Sequence, residues 1–154
     1  MVNIAKRESA AKTLERFLNC EITNEDFMEA FPQDRDDPAL LAVGDVAWFC
    51  YSEDRTHKLA GKHEPPAELR HLLENAVLFL QTELEYEWPP YRFVSLKNGF
   101  LKLLGMRSMV ERQFEEFKRA GDWEVWPFLR RSDYTEASNR AASIPGTAAQ
   151  DERF

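Results

Sequence analysis

Three histidines, His57, His63 and His71, fall within fifteen residues. Imidazoles grouped so closely could ligate zinc, and with an acid such as Asp54 they could activate water for hydrolysis. The spacing His57-x5-His63-x7-His71 matches no zinc signature, and neither HExxH nor a Cys/His ribbon is present. The plainer reading is exposed loop imidazoles, with His71 on a helix surface. The three histidines stay as candidate metal ligands, while no metal or other cofactor is expected.

A second constellation is acidic: Glu83, Glu85 and Glu87 run directly into Trp88-Pro89-Pro90-Tyr91. The helical pattern upstream predicts that Glu83 and Glu87 share one helix face at i and i+4. They would then sit at the helix C-terminus, where the macrodipole disfavours negative charge. Either a cation compensates them, with Arg70, Arg92 and Lys97 at hand, or they form an acidic patch for a basic partner. Acid–base catalysis by paired carboxylates would need a pocket, and nothing in the pattern points to one. Asp54, Glu83, Glu85, Glu87 and Trp88 are therefore the candidate partner-binding residues, Trp being enriched at interface hot spots. The clusters Trp88-Pro89-Pro90-Tyr91 and Trp123-Glu124-Val125-Trp126-Pro127-Phe128 could form a recognition platform, but two rigid corners packed on the core are the plainer reading.

Other chemistries lack a frame. Ser52 has no GxSxG context, and neither Cys20 nor Cys50 has a CxxC partner. All six glycines are isolated, so there is neither a P-loop nor a GxGxxG. No catalytic residue is assigned.

The elements that would carry these groups read as helices. Ile4, Ala10, Ala11, Leu14, Phe17 and Leu18 recur at helical spacing over residues 3–19. A short helix starts at Thr23 or Asn24 and stops at Pro32. Asp37-Pro38 opens a third, apolar almost all round, that runs to about Ser52. Residues 53–65 read as a loop. A long helix is expected from about Pro66 to Glu87, and another from Met106 to Ala120. The stretch from Asp122 to Leu129 reads as an ordered extended segment laid across the helices. A β-hairpin between residues 91–96 and 122–128 is the main alternative.

Charge is uneven. Residues 1–91 carry eighteen acids against nine bases, and residues 92–131 carry nine bases against five acids. The acidic part argues against nucleic acid as partner, since phosphate binding needs a basic footprint. The basic stretch is read as neutralising the acidic half across an internal packing surface. No apolar run is long enough to span a bilayer, and no signal-peptide pattern opens the chain. Two lone thiols suit a reducing cytoplasm.

Certain strings, in order, are distinctive: Tyr51-Ser52-Glu53-Asp54, His57, Leu59, Gly61, Phe79-Leu80, Leu84-Glu85-Tyr86-Glu87-Trp88-Pro89 and Gly121-Asp122-Trp123-Glu124-Val125-Trp126-Pro127-Phe128. Over roughly residues 40–130 this order resembles a group of small bacterial proteins with no assigned reaction. The resemblance implies a bacterial, cytosolic, single-domain protein and supplies no cofactor or catalytic residue.

The expectation is an all-α fold, an irregular bundle of about five helices with one aromatic-rich extended segment across it. Residues 1–137 would form one helical domain and residues 138–154 a flexible tail. The function expected is a non-enzymatic, cytoplasmic module that binds a basic protein, in the manner of small acidic immunity proteins or antitoxins. The alternatives are a small metal-dependent hydrolase using the loop histidines and a structural homo-oligomer.

Overall fold

The N-terminal helix, α1 (Ile4–Leu18), begins where the Asn3 side chain accepts from the Lys6 amide at 3.1 Å. It buries Ala10, Ala11, Leu14, Phe17 and Leu18 along one stripe. A computed structural model of the chain describes residues 1–51, 55–93 and 107–145, with the side chains of Arg107 and Ser108 left aside. Cys20, just past the end of α1, has φ +59°, a left-handed conformation usually left to glycine. Its backbone N–H donates to the Phe17 carbonyl and that of Glu21 to Arg16, which closes the helix end. The Cys20 thiol donates to the Leu59 carbonyl at 3.2 Å.

Helix α2 (Asn24–Ala30) starts with a reciprocal cap between Thr23 and Asp26. Helix α3 (Pro38–Ala47) starts with Asp37 as cap and Pro38 in the first turn, as the Asp-Pro pair predicts. It then tightens into a 3-10 turn over Trp48–Cys50. Helix α4 (Ala67–Leu80) is the hub, touching α1, α3, the 3-10 turn Trp123–Val125 and a helix near the C-terminus. Its stripe of Leu72, Leu73, Ala76, Phe79 and Leu80 is buried against them. Each of its leucines, and Phe79, contributes about 1.5–3 kcal/mol by leaving water.

Helix α4 stops at Leu80 and does not reach Glu87. The Thr82 hydroxyl donates to the Phe79 carbonyl at 2.7 Å, and the Thr82 amide donates to the same oxygen at 2.9 Å. A hydroxyl near a helix end competes for backbone carbonyls in this way. The next carbonyls, of Thr82 and Leu84, are taken by Arg7 of α1 at 3.3 and 2.7 Å. Residues 81–87 consequently leave the helix as an irregular strap.

Helices α5 (Arg107–Lys118) and α6 (Arg131–Ala142) complete six α-helices among the described residues, where no strand occurs. The all-α class holds with one helix more than expected. α6 was hidden because its inward residues are small and few: Ala137 is buried, with Tyr134 partly so. It runs past the expected boundary at Ala137, and residues 146–154 lie outside the described residues.

The aromatic segment is a closed loop, which corrects the extended reading. Asp122 caps the Trp123–Val125 turn, the Trp126–Pro127 peptide is cis, and the Asp122 amide returns to the Leu129 carbonyl at 3.0 Å. A Cβ on Gly121 would lie 2.6 Å from the Leu129 carbonyl oxygen, so this closure requires glycine. Val125, Trp126 and Phe128 are at most 2 % exposed.

One ion pair ties the first helices together. Arg7 and Asp37 are both fully buried. The guanidinium grips the carboxylate in a two-pronged contact, Nε to Oδ2 at 2.7 Å and Nη2 to Oδ1 at 2.9 Å. Asp37 also accepts from the amides of Asn3 and Ala39. Burial pushes its carboxyl up, but the Arg7 and Asn3 hydrogen bonds and the Arg7 charge outweigh this and hold it below the usual range. A lowered carboxyl stabilises the fold only when ionised. Its contribution is full above the unfolded value of about 3.9 and is lost as pH falls through the folded value.

Removing one partner of such a pair strands a buried charge. Arg7→Met should therefore lower the unfolding free energy in urea by about 3–5 kcal/mol. Arg7→Met combined with Asp37→Leu should cost less than the sum of the two single changes. In the unaltered chain the urea midpoint should fall steeply below about pH 4, and this step should be much smaller in the Arg7→Met, Asp37→Leu double variant.

Candidate functional site

The early end of α4 changes the geometry of the acidic residues. Glu83, Glu85 and Glu87 do not share a helix face, and the macrodipole argument no longer applies to them. All three are exposed on the strap that follows Leu80. The strap runs beside α6, and two clefts open along it. One, of about 350 Å³, is lined by Thr82, Glu83 and Leu84 from the strap and by Asp133, Glu136 and Arg140 from α6. The other, of about 210 Å³, is lined by Leu84, Glu85, Glu87, Phe128, Arg130 and Asp133. Leu84 and Asp133 border both, and Leu84 is 39 % exposed.

Part of this acid is neutralised locally. Arg130 holds Glu87 through both guanidinium nitrogens at 2.7 and 3.3 Å and reaches Asp133 at 3.4 Å. Arg140 pairs with Glu136 at 2.6 Å. Arg131 bridges Asp122 and Glu124 at 2.7 and 2.8 Å. Glu83 and Glu85 form no ion pair among the described residues. The partner of Glu87 is thus Arg130, whereas Arg92 pairs with Asp45 and Arg70 lies 3.9 Å from Glu74. Lys97 and Asp54 lie outside the described residues.

Trp88 is not a surface residue, which removes it from the contact set. It is 4 % exposed, and its indole N–H donates to the Phe128 carbonyl at 3.2 Å. Its ring meets Phe117 at 5.0 Å and Trp123 at 6.1 Å, within an aromatic cluster that includes Tyr91, Phe93, Phe114 and Trp126. Pro89 and Pro90 end the strap, and the large apolar ring before them goes to the core, where it gains most from burial.

The histidines come together only in part. His57 and His63 stack with centroids 4.0 Å apart and planes at 18°, while His71 is exposed on α4. Both nitrogens of His57 face carbonyl oxygens, Nδ1 that of Arg55 at 3.0 Å and Nε2 that of Cys50 at 3.1 Å. Neither lone pair is presented to a metal. Among the described residues no group of three or more His, Cys, Asp or Glu could hold an ion. Cys20 and Cys50 are not joined in a disulfide.

Two further polar side chains, Tyr86 and Asp45, are partly buried. Tyr86 accepts from the Trp126 indole at 3.2 Å, and burial pushes its hydroxyl well above the usual phenol range. Asp45 is pushed up by burial, with Arg92 opposing at 3.2 Å. No cleft described here opens onto either. No helix among the described residues is long and apolar enough to cross a membrane. No protein-family model, curated protein or solved structure matches this chain.

The division between core and surface gives a direct contrast. Trp88→Ala should lower stability by about 3–5 kcal/mol in urea, since it empties a packed site. Glu85→Gln should stay within about 0.5 kcal/mol, as for an exposed residue without a structural partner.

Proposed function

We propose that this chain is a non-enzymatic, cytoplasmic protein-binding module whose strap, residues 81–87, docks a basic partner. The observation that carries this reading is the pair of clefts meeting at exposed Leu84, with Glu83 lining one and Glu85 the other. Arg140 and Arg130 border the same clefts but are paired with Glu136 and Glu87, and neither Glu83 nor Glu85 forms an ion pair among the described residues. An apolar contact flanked by exposed carboxylates suits a protein segment with Lys or Arg on both sides of an aliphatic side chain. Charge of this kind steers encounter and selects partners more than it adds affinity. The comparison with small acidic immunity proteins and antitoxins rests on size, acidity and helical class. The resemblance of residues 40–130 to small bacterial proteins is consistent with a bacterial source.

A hydrolase reading on the loop histidines has less support, because both His57 nitrogens are turned onto backbone carbonyls. A second acidic cleft, of about 480 Å³, lies at α2 beside Glu21, Asp26 and Glu29. There Glu21 faces Arg16 at 3.5 Å and Asp26 is committed to the helix cap. The strap is the better docking surface for that reason.

The test is capture of basic proteins from a bacterial lysate on the immobilised chain, at low and at high salt. The unaltered chain should retain a partner at low salt, and Glu83→Lys with Glu85→Lys should lose it. Loss on Glu25→Lys with Glu29→Lys instead would move the contact to α2 and overturn the assignment. Equal retention by all three chains would remove the electrostatic reading altogether.

A further inference from the structure

The stacked histidines sit at a junction. The loop that carries His57 is pinned to α2 by Asn24, which is 1 % exposed. The Asn24 side chain donates to the Arg55 carbonyl at 3.1 Å and accepts from the His57 amide at 2.7 Å. The Asn24 amide in turn donates to the His57 carbonyl at 2.8 Å. From the end of α3 the group presented to the ring is the Cys50 carbonyl, and from the end of α1 the Cys20 thiol holds the Leu59 carbonyl. One loop therefore fastens the ends of three helices, and it buries the His57 ring together with Leu59.

A neutral imidazole donates through one nitrogen only, whereas an imidazolium donates through both. Each His57 nitrogen faces a carbonyl that can accept a hydrogen bond from it, and the ring has no other polar partner among the described residues. The His63 ring lies face to face with it at 4.0 Å, on the 3-10 turn Gly61–His63. One charged and one neutral ring can stack at that spacing. Two charged rings repel enough, even at the dielectric of water, to shift an equilibrium at least about fivefold.

We propose that the His57–His63 stack is an acid-released clasp: taking up a second proton drives the rings apart and frees the 55–63 loop from α2 and from the end of α3. The charges acting on the His63 ring are all positive, namely His57, Lys62 and Arg55. Among the described residues no carboxylate offsets them. Asp26 of α2 is turned onto Thr23 at 2.9 Å, and Glu53 and Asp54 lie outside the described residues. Partial burial and these cations together hold the His63 imidazole below its ordinary value. The sign follows from that direction. A lowered histidine stabilises the fold while it is neutral, so the clasp is whole above the unfolded value of about 6.5 and opens as pH falls through the lower folded value. This device is independent of the strap and its partner.

Amide hydrogen exchange reads the clasp directly, because the His57 and Asn24 amides donate across it. After correction for intrinsic rates, their protection should fall at least about fivefold between about pH 7.5 and 5, with Leu14 and Leu73 steady. His63→Gln, which cannot take the second proton, should abolish the step. Unchanged protection in the unaltered chain, or a step that persists in His63→Gln, would overturn the proposal. Should that variant misfold, ring-proton NMR of the unaltered chain decides the matter. Coupled titration of His63 below its ordinary value, with loss of the ring–ring contact, supports the clasp. Independent titration with the contact retained overturns it.

Discussion

The fold hangs on one buried guanidinium. Arg7 would be costly inside a protein without partners, because removing a full charge from water costs several kcal/mol or more. It is retained because its donors are matched to four acceptor contacts: both oxygens of Asp37 and the carbonyls of Thr82 and Leu84. Its guanidinium also lies 5.3 Å from the centre of the Phe79 ring. Asp37 is at the same time the cap of α3, so one contact sets α1, the start of α3 and the exit from α4. Met1, Asn3 and Lys6 add a polar fringe on Asp34 and Asp36 around it. Those outer contacts are exposed or half-buried and contribute far less.

The candidate site follows from that constraint. The carbonyls that Arg7 takes are those of the strap, and taking them ends α4 and turns Leu84 outward between two clefts. On the other side of the strap, Arg130 at the cap of α6 pairs with Glu87, and Arg140 pairs with Glu136 within α6. The acids left over, Glu83 and Glu85, are those closest to Leu84 in the chain. The basic stretch also reaches back to α3 through Arg92 and Asp45, so pairs of this kind cross between the acidic and basic parts of the sequence. Aromatic packing holds α5, with Phe114 and Phe117 set against Tyr91, Phe93 and Trp123.

Much of the helical plan was legible in the residues. Asn3, Thr23 and Asp37 announce three helix starts, and apolar spacing marks the buried faces of α1 and α4. The end of α4 was not legible, because it depends on a guanidinium more than seventy residues away in sequence. The choice of Trp88 as a contact residue failed for a related reason, while the reading of its cluster as a corner packed on the core agrees with the burial of Trp88. Beside three glutamates it reads as surface, yet its partners Phe117, Trp123 and Phe128 come from another part of the chain. α6 escaped because small side chains give a faint periodicity, although Asp133 in its first turn and Arg140 in its last agree with the macrodipole. The pairing of His57 with His63 could not be read at all, since five intervening residues fix neither ring.

The central claim is that Arg7 shapes the strap and does more than stabilise the core. Backbone NMR order parameters of residues 83–87 in Arg7→Lys, against the unaltered chain, test it most directly. Lysine keeps the charge but cannot reach Asp37 and two carbonyls at once. The account predicts that values near about 0.85 fall below about 0.6 across the strap while the middle of α4 stays rigid. A strap equally ordered in both chains would contradict it.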